Sequence, residues 1–151
     1  MNFLGTEKTE YRGKKAFEEI YYLLEKYFSN YDNEIKGINM LNTFCKLAKN
    51  ESVEANSYLS NKENDLELNI NAYGKINEEE QIEMHFYTSN YHEDERFSAE
   101  LGIYSNEDIS IVAIESKDNI FELEYHAAKH PTISGFELKK LYDKLKPYKK
   151  K

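Results

Sequence analysis

Between residues 14 and 31, Phe17, Ile20, Tyr21, Leu24, Phe28 and Tyr31 recur at helical spacing, with Leu23 and Tyr27 widening the stripe. Steps of three and four place these side chains on one face, which predicts an amphipathic helix. Gly37 interrupts the pattern, and Ile38, Leu41, Phe44, Cys45 and Ala48 mark a second helix. Residues 51 to 60, ESVEANSYLS, keep neither period cleanly and are read as a short helix.

From Asp65 the period falls to two. Leu66, Leu68, Ile70 and Ala72 alternate with polar neighbours, as do Ile82, Met84 and Phe86, then Phe97, Ala99, Leu101 and Ile103. Residues 109 to 114, ISIVAI, are almost all apolar and predict a strand covered on both faces. Phe121, Leu123 and Tyr125 alternate with Glu122, Glu124 and His126 in the last strand. Short polar connections between these runs predict an antiparallel meander. Near the C-terminus Ser134 and Glu137 spell a capping box, with Ile133 and Leu138 as its hydrophobic staple and Leu138, Leu141, Tyr142 and Leu145 as a buried stripe. The expected fold is one α+β domain over residues 1–151. It has two or three N-terminal helices, a five-stranded antiparallel meander and a C-terminal helix packed on the sheet.

Composition narrows the class. A chain of 151 residues suits one domain, and its 13 Tyr and 8 Phe are too many for a disordered polyanion. No apolar run reaches signal-peptide or membrane-spanning length, and the lone Cys45 forms no internal disulfide, so a cytoplasmic protein is expected. Lysine outnumbers arginine 18 to 2 and asparagine occurs 15 times, a bias of AT-rich codons that points to a low-GC bacterial or phage source.

The templates for chemistry mostly fail. His126 and His130 stand four apart, but His126 belongs to a strand, where four residues span about 13 Å. His130 precedes Pro131, which disfavours the helical conformation. No phosphate-binding glycine loop and no G-x-S-x-G occurs. Cys45 lies in an apolar helical setting that keeps a thiol inert. No catalytic residue, metal or cofactor is expected.

Charge is distributed unevenly. Residues 1 to 62 are neutral overall, residues 63 to 126 carry a net −14 and residues 127 to 151 a net +6, within a total of −8. The polar sides of the strands carry Glu67, Glu83, Glu100, Glu122 and Glu124, with Tyr73, Tyr87 and Tyr104 among them. The turns add Glu78, Glu79 and Glu80 with Glu107 and Asp108 at one end of the sheet, and Glu93, Asp94 and Glu95 with Asp118 at the other. By strand parity Val112, Ile114 and Ile120 share the acidic side. Acids on neighbouring strands repel, so a soluble sheet has no need of this layout. Tyrosines among acids are what a protein-binding surface uses.

The expected function is therefore an acidic inhibitor whose sheet docks on a basic partner protein, a nucleic-acid-binding enzyme. An immunity protein against a toxin nuclease and a DNA-mimicking, anti-CRISPR-like phage protein are two forms of it. Direct contact with nucleic acid is disfavoured by sign, and no membrane partner is expected. The alternative is a small enzyme or ligand-binding domain with a Tyr, His and Glu pocket between sheet and helices.

Overall fold

The structure, a computed structural model, describes residues 5–27, 31–62, 65–90, 96–106, 108–117, 120–130 and 132–146. The chain opens with strand β1 (Gly5–Arg12) and continues into helices α1 (Lys14–Tyr27) and α2 (Tyr31–Leu47). Six strands follow: β2 (Glu54–Lys62), β3 (Asp65–Lys75), β4 (Glu80–Ser89), β5 (Arg96–Ser105), β6 (Asp108–Lys117) and β7 (Ile120–His126). Helix α3 (Ile133–Leu145) ends the fold. The strands form one antiparallel sheet in the order β1-β2-β3-β4-β5-β6-β7.

This corrects the expected five-stranded sheet with N-terminal helices. The sheet has seven strands, and α1 and α2 are an insertion between its first two. Residues 51 to 60 are not a helix. After one short turn at Asn50–Ser52 they form β2, in which Ala55, Ser57 and Leu59 are buried, in step with Val53 just before it, while Glu54 and Asn56 are exposed. Serine and alanine hold alternate inward positions there and dilute the period that leucine or valine would have made visible. The first strand has no apolar alternation at all: GTEKTEYR gains its conformation from pairing with β2, from Gly5↔Asn61 to Arg12↔Glu54.

Local signals were also redirected by packing. Gly37 lies buried inside α2 rather than ahead of it, and the first predicted helix ends at Tyr27; Phe28 lies outside the described residues. The turn into α1 falls at Gly13, whose φ of +62° is a left-handed conformation that glycine adopts without a side-chain clash. Helix α3 is capped by Thr132, whose hydroxyl accepts from Gly135 N at 3.2 Å. Ser134 sits one step inside the helix, so the predicted capping box does not form, and Glu137 pairs with Lys46 and Lys140 instead. The staple fails as well, because Ile133 is 85% exposed.

The core lies between one face of the sheet and the helices. Ile20 and Leu24 of α1, Met40 and Phe44 of α2, and Leu138 and Leu141 of α3 meet Leu68, Ile70, Met84, Phe86, Leu101 and Ile114. Phe17 sets its ring edge-to-face on Phe44 at 5.8 Å. Burial of a large apolar side chain contributes about 1.5–3 kcal/mol, so this one layer supplies most of the driving force. Cys45 stands at its margin, where burial pushes the thiol up to about 11.

Two acids tie α3 and its approach to the sheet. The buried Glu80 accepts from Thr132 Oγ1 at 2.7 Å, from Ser134 Oγ at 3.4 Å and from Asn77 Nδ2 at 2.9 Å. Asp108 accepts from the backbone N–H of Lys129 at 3.0 Å and of His130 at 2.9 Å. Those two bonds, chiefly the one from His130, hold its carboxyl below the ordinary value of 3.8.

Replacing Glu80 with Ala leaves the buried hydroxyl of Ser134 and the half-buried hydroxyl of Thr132 without their acceptor and should destabilise the fold by about 2 kcal/mol in urea denaturation. The Asp108 bonds favour the charged carboxylate, so their stabilisation is present at neutral pH and is lost as the pH falls through the depressed pKa. Asp108→Asn should therefore lower Tm at neutral pH, and the gap should close at acid pH below the ordinary aspartate value of 3.8.

Candidate functional site

With all three helices on one face, the side chains of opposite parity form the other. The register fixes its rows. One row runs Lys8, Tyr58, Asn69, Tyr87, Ser98, Glu115, Glu122 from β1 to β7. The next runs Glu10, Asn56, Asn71, His85, Glu100, Ala113, Glu124. A third holds Arg12, Glu54, Tyr73, Glu83, Gly102, Ile111 and His126. Neighbouring strands are about 4.8 Å apart, so each row is a band of adjacent side chains.

A groove of about 370 Å³ lies between the first two rows over β3 to β7. Phe86, Ala99 and Ile114, which face the core with their side chains, border its floor, and Ser98 and Ala113 leave its middle open. Its β3–β4 end is lined by Asn69, Asn71, His85 and Tyr87, and its β6–β7 end by Glu115, Glu122 and Glu124, with Glu100 between. Among the described residues no cation forms an ion pair with Glu100, Glu115, Glu122 or Glu124. Glu115 and Glu122 are direct cross-strand partners, an arrangement of like charges that destabilises a sheet.

The polar atoms at the other end of the groove are already engaged. Asn71 Nδ2 donates to Asn56 Oδ1 at 3.1 Å, and Asn71 Oδ1 accepts from His85 Nδ1 at 2.6 Å. His85 Nε2 is thereby turned toward Glu83 Oε2 at 3.7 Å, and Tyr73 packs edge-on against the ring at 5.8 Å. Tyr87 donates to Glu67 Oε2 at 3.0 Å, and burial raises its phenol pKa. Tyr104 folds back over Gly102, where a Cβ would meet its ring atoms at 3.0–3.2 Å. Burial, then the charges of Glu83 and Glu100, push the Tyr104 phenol up. Glycine at position 102 is what lets this tyrosine lie among the acids.

The predicted residues divide accordingly. Glu67, Glu83, Glu100, Glu122, Glu124, Tyr73, Tyr87 and Tyr104 all stand on the outer face. Glu78 and Glu79 are exposed at the β3–β4 turn, apart from the groove. Glu80 is buried at 6% exposure and serves α3 rather than the surface. Glu93, Asp94 and Glu95 lie outside the described residues. Val112 and Ile114 do not share the acidic side as their parity suggested: they face the core, and β6 presents Ile111, Ala113 and Glu115 outward. Ile120's side chain lies outside the described residues.

Glu115 was missed for that reason, although its pairing with Glu122 is the sharpest charge conflict on the face. Its signal was the two-residue offset from Ile111 and Ala113, hidden by an apolar run readable in either parity. His126 and His130 are exposed and separate. Among the described residues no three His, Cys, Asp or Glu side chains come together to hold a metal ion, and no helix is long and apolar enough to cross a membrane.

No family model matches the chain, and no curated protein or solved structure matches it either. The geometry of the outer face alone bears on function.

Glu122→Lys replaces a like-charge pair with an opposite one and should stabilise the fold by a few tenths to about 1 kcal/mol in chemical denaturation. Added salt should stabilise the native chain more than this variant, because only the native pair has repulsion to screen.

Proposed function

We propose that the protein is an acidic docking inhibitor whose outer sheet face seats on the basic surface of a nucleic-acid-binding enzyme. The observation that carries this reading is the set Glu100, Glu115, Glu122 and Glu124 around one groove, with which no cation pairs among the described residues. Among the described residues the C-terminal lysines Lys139, Lys140 and Lys146 pair with Asp143 and Glu137 along α3 instead. Holding four carboxylates together costs stability that a solvated surface has no reason to give up. A basic partner would return it on binding and would be drawn in at long range. Enzymes that grip phosphates carry such surfaces.

A second reading is favoured by one observation, the orientation of His85. With Nδ1 bonded to Asn71 and Nε2 left toward the acids, the ring has the arrangement of a base or ligand-binding group. The groove also falls in the size range of small-molecule sites. In that case the ligand is cationic and lies on the outer face, rather than between sheet and helices.

The test is inhibition of a panel of purified DNA- and RNA-cleaving nucleases. At least one should be inhibited near stoichiometry. Inhibition should be lost when Glu83, Glu100, Glu122 and Glu124 are changed to Lys, and should weaken at least tenfold as salt rises from about 50 to 300 mM. Inhibition that survives the reversal, or a panel untouched by the native protein, overturns the reading. Thermal stabilisation by a small cation that disappears in His85→Ala favours the second.

A further inference from the structure

The sheet is open. Strand β7 pairs with β6 from Ile111↔His126 to Lys117↔Ile120, and among the described residues no strand pairs with its other edge. The chain leaves β7 by turning inward, since Ala128 N bonds Ser110 and the next two amides bond Asp108, both on β6. The outer edge of β7 is thus a row of backbone donors and acceptors not covered by that connection, and such an edge is a template for another strand.

The two edges of the sheet differ. On β1 the register places charge on both faces, Lys8, Glu10 and Arg12 outward and Glu7 on the parity of Leu59, which is a common way of blunting an edge. On β7 the core-side residues Phe121 and Leu123 are apolar and buried, while Glu122 and Glu124 are exposed on the other side. No proline interrupts it.

We propose that the β7 edge receives an extended segment of the partner as an eighth strand, with arginine or lysine alternating with apolar residues. This rests on the docking reading above and names the part of the partner that is gripped. Basic side chains of the added strand would lie beside Glu122 and Glu124 at the mouth of the groove, and its apolar ones would extend the row of Phe121 and Leu123. Backbone bonds supply affinity in this mode, and the alternating side chains supply selectivity. A second copy is disfavoured by like charge. Antiparallel pairing of two β7 strands about Leu123 sets Glu122 of one against Glu124 of the other, and pairing with β1 that matches Lys8 to Glu124 sets Glu10 against Glu122.

The probe is an acetylated, amidated heptapeptide, Arg-Val-Arg-Val-Arg-Val-Arg, compared with the same peptide carrying proline at its centre, which keeps the charge and cannot complete the ladder. The native protein should bind the first at least tenfold more tightly. Hydrogen exchange of backbone amides within Ile120–His126 should slow at least tenfold when it binds, and Glu122→Gln with Glu124→Gln should weaken binding about tenfold. Equal affinity for the proline peptide, or protection elsewhere than β7, overturns the edge while leaving charge-driven docking to be judged by the nuclease panel. Binding of neither peptide, or concentration-dependent self-association through β7 in sedimentation, overturns the edge outright.

Discussion

Everything on the outer face follows from burying a single parity of one sheet. All three helices pack on the side of Leu68, Ile70, Met84, Phe86, Leu101 and Ile114. Adjacent residues of a strand point to opposite faces, so every inward choice assigns its neighbours outward. A sheet covered on one side only must turn a broad polar surface to solvent. Here that surface runs from β1 to β7, and Glu67, Glu83, Glu100, Glu115, Glu122 and Glu124 stand on it.

The core makes such a surface tolerable. A like-charge cross-strand pair costs tenths of a kcal/mol to about 1 kcal/mol, whereas each large buried side chain contributes about 1.5–3 kcal/mol. Phe44, Phe86, Ile20, Leu24, Met40 and Leu101 are all essentially fully buried. The opposition of Glu115 and Glu122 can therefore persist without endangering the fold. The small outward residues Ser98, Gly102 and Ala113 shape what the acids surround, and Gly102 in particular admits Tyr104 against the backbone.

Not every acid belongs to that surface. Glu80 and Asp108 serve as acceptors that pin the start of α3 and the connection leading to it. Glu80 reaches the hydroxyls of Thr132 and Ser134 beside the helix N-terminus, where a negative charge is also favoured by the helix dipole. One turn, residues 77 to 80, thus carries both kinds of acid: Glu78 and Glu79 in water, Glu80 in the interior. A count of charges along the chain cannot distinguish them, because the difference comes from which element packs above the turn.

By itself the sequence determined the four alternating strands whose inward residues are large and apolar, the two early helices, the C-terminal stripe of Leu138, Leu141 and Leu145, and the outward side of Glu67, Glu83, Glu100, Glu122 and Glu124. Those features are local, since period and side-chain size state them without a neighbour. Only the tertiary structure decided the rest. Strand β1 exists because β2 pairs with it, and β2 escapes its ambiguous composition because it has a partner on each side. The parity of β6 is set by its register with β5 and β7, which turns Val112 inward and Glu115 outward. The hydroxyls of Thr132, the cap, and of Ser134 both meet Glu80, distant in sequence. In each case the deciding interaction is a pairing between segments far apart along the chain, and no periodicity within one segment encodes it.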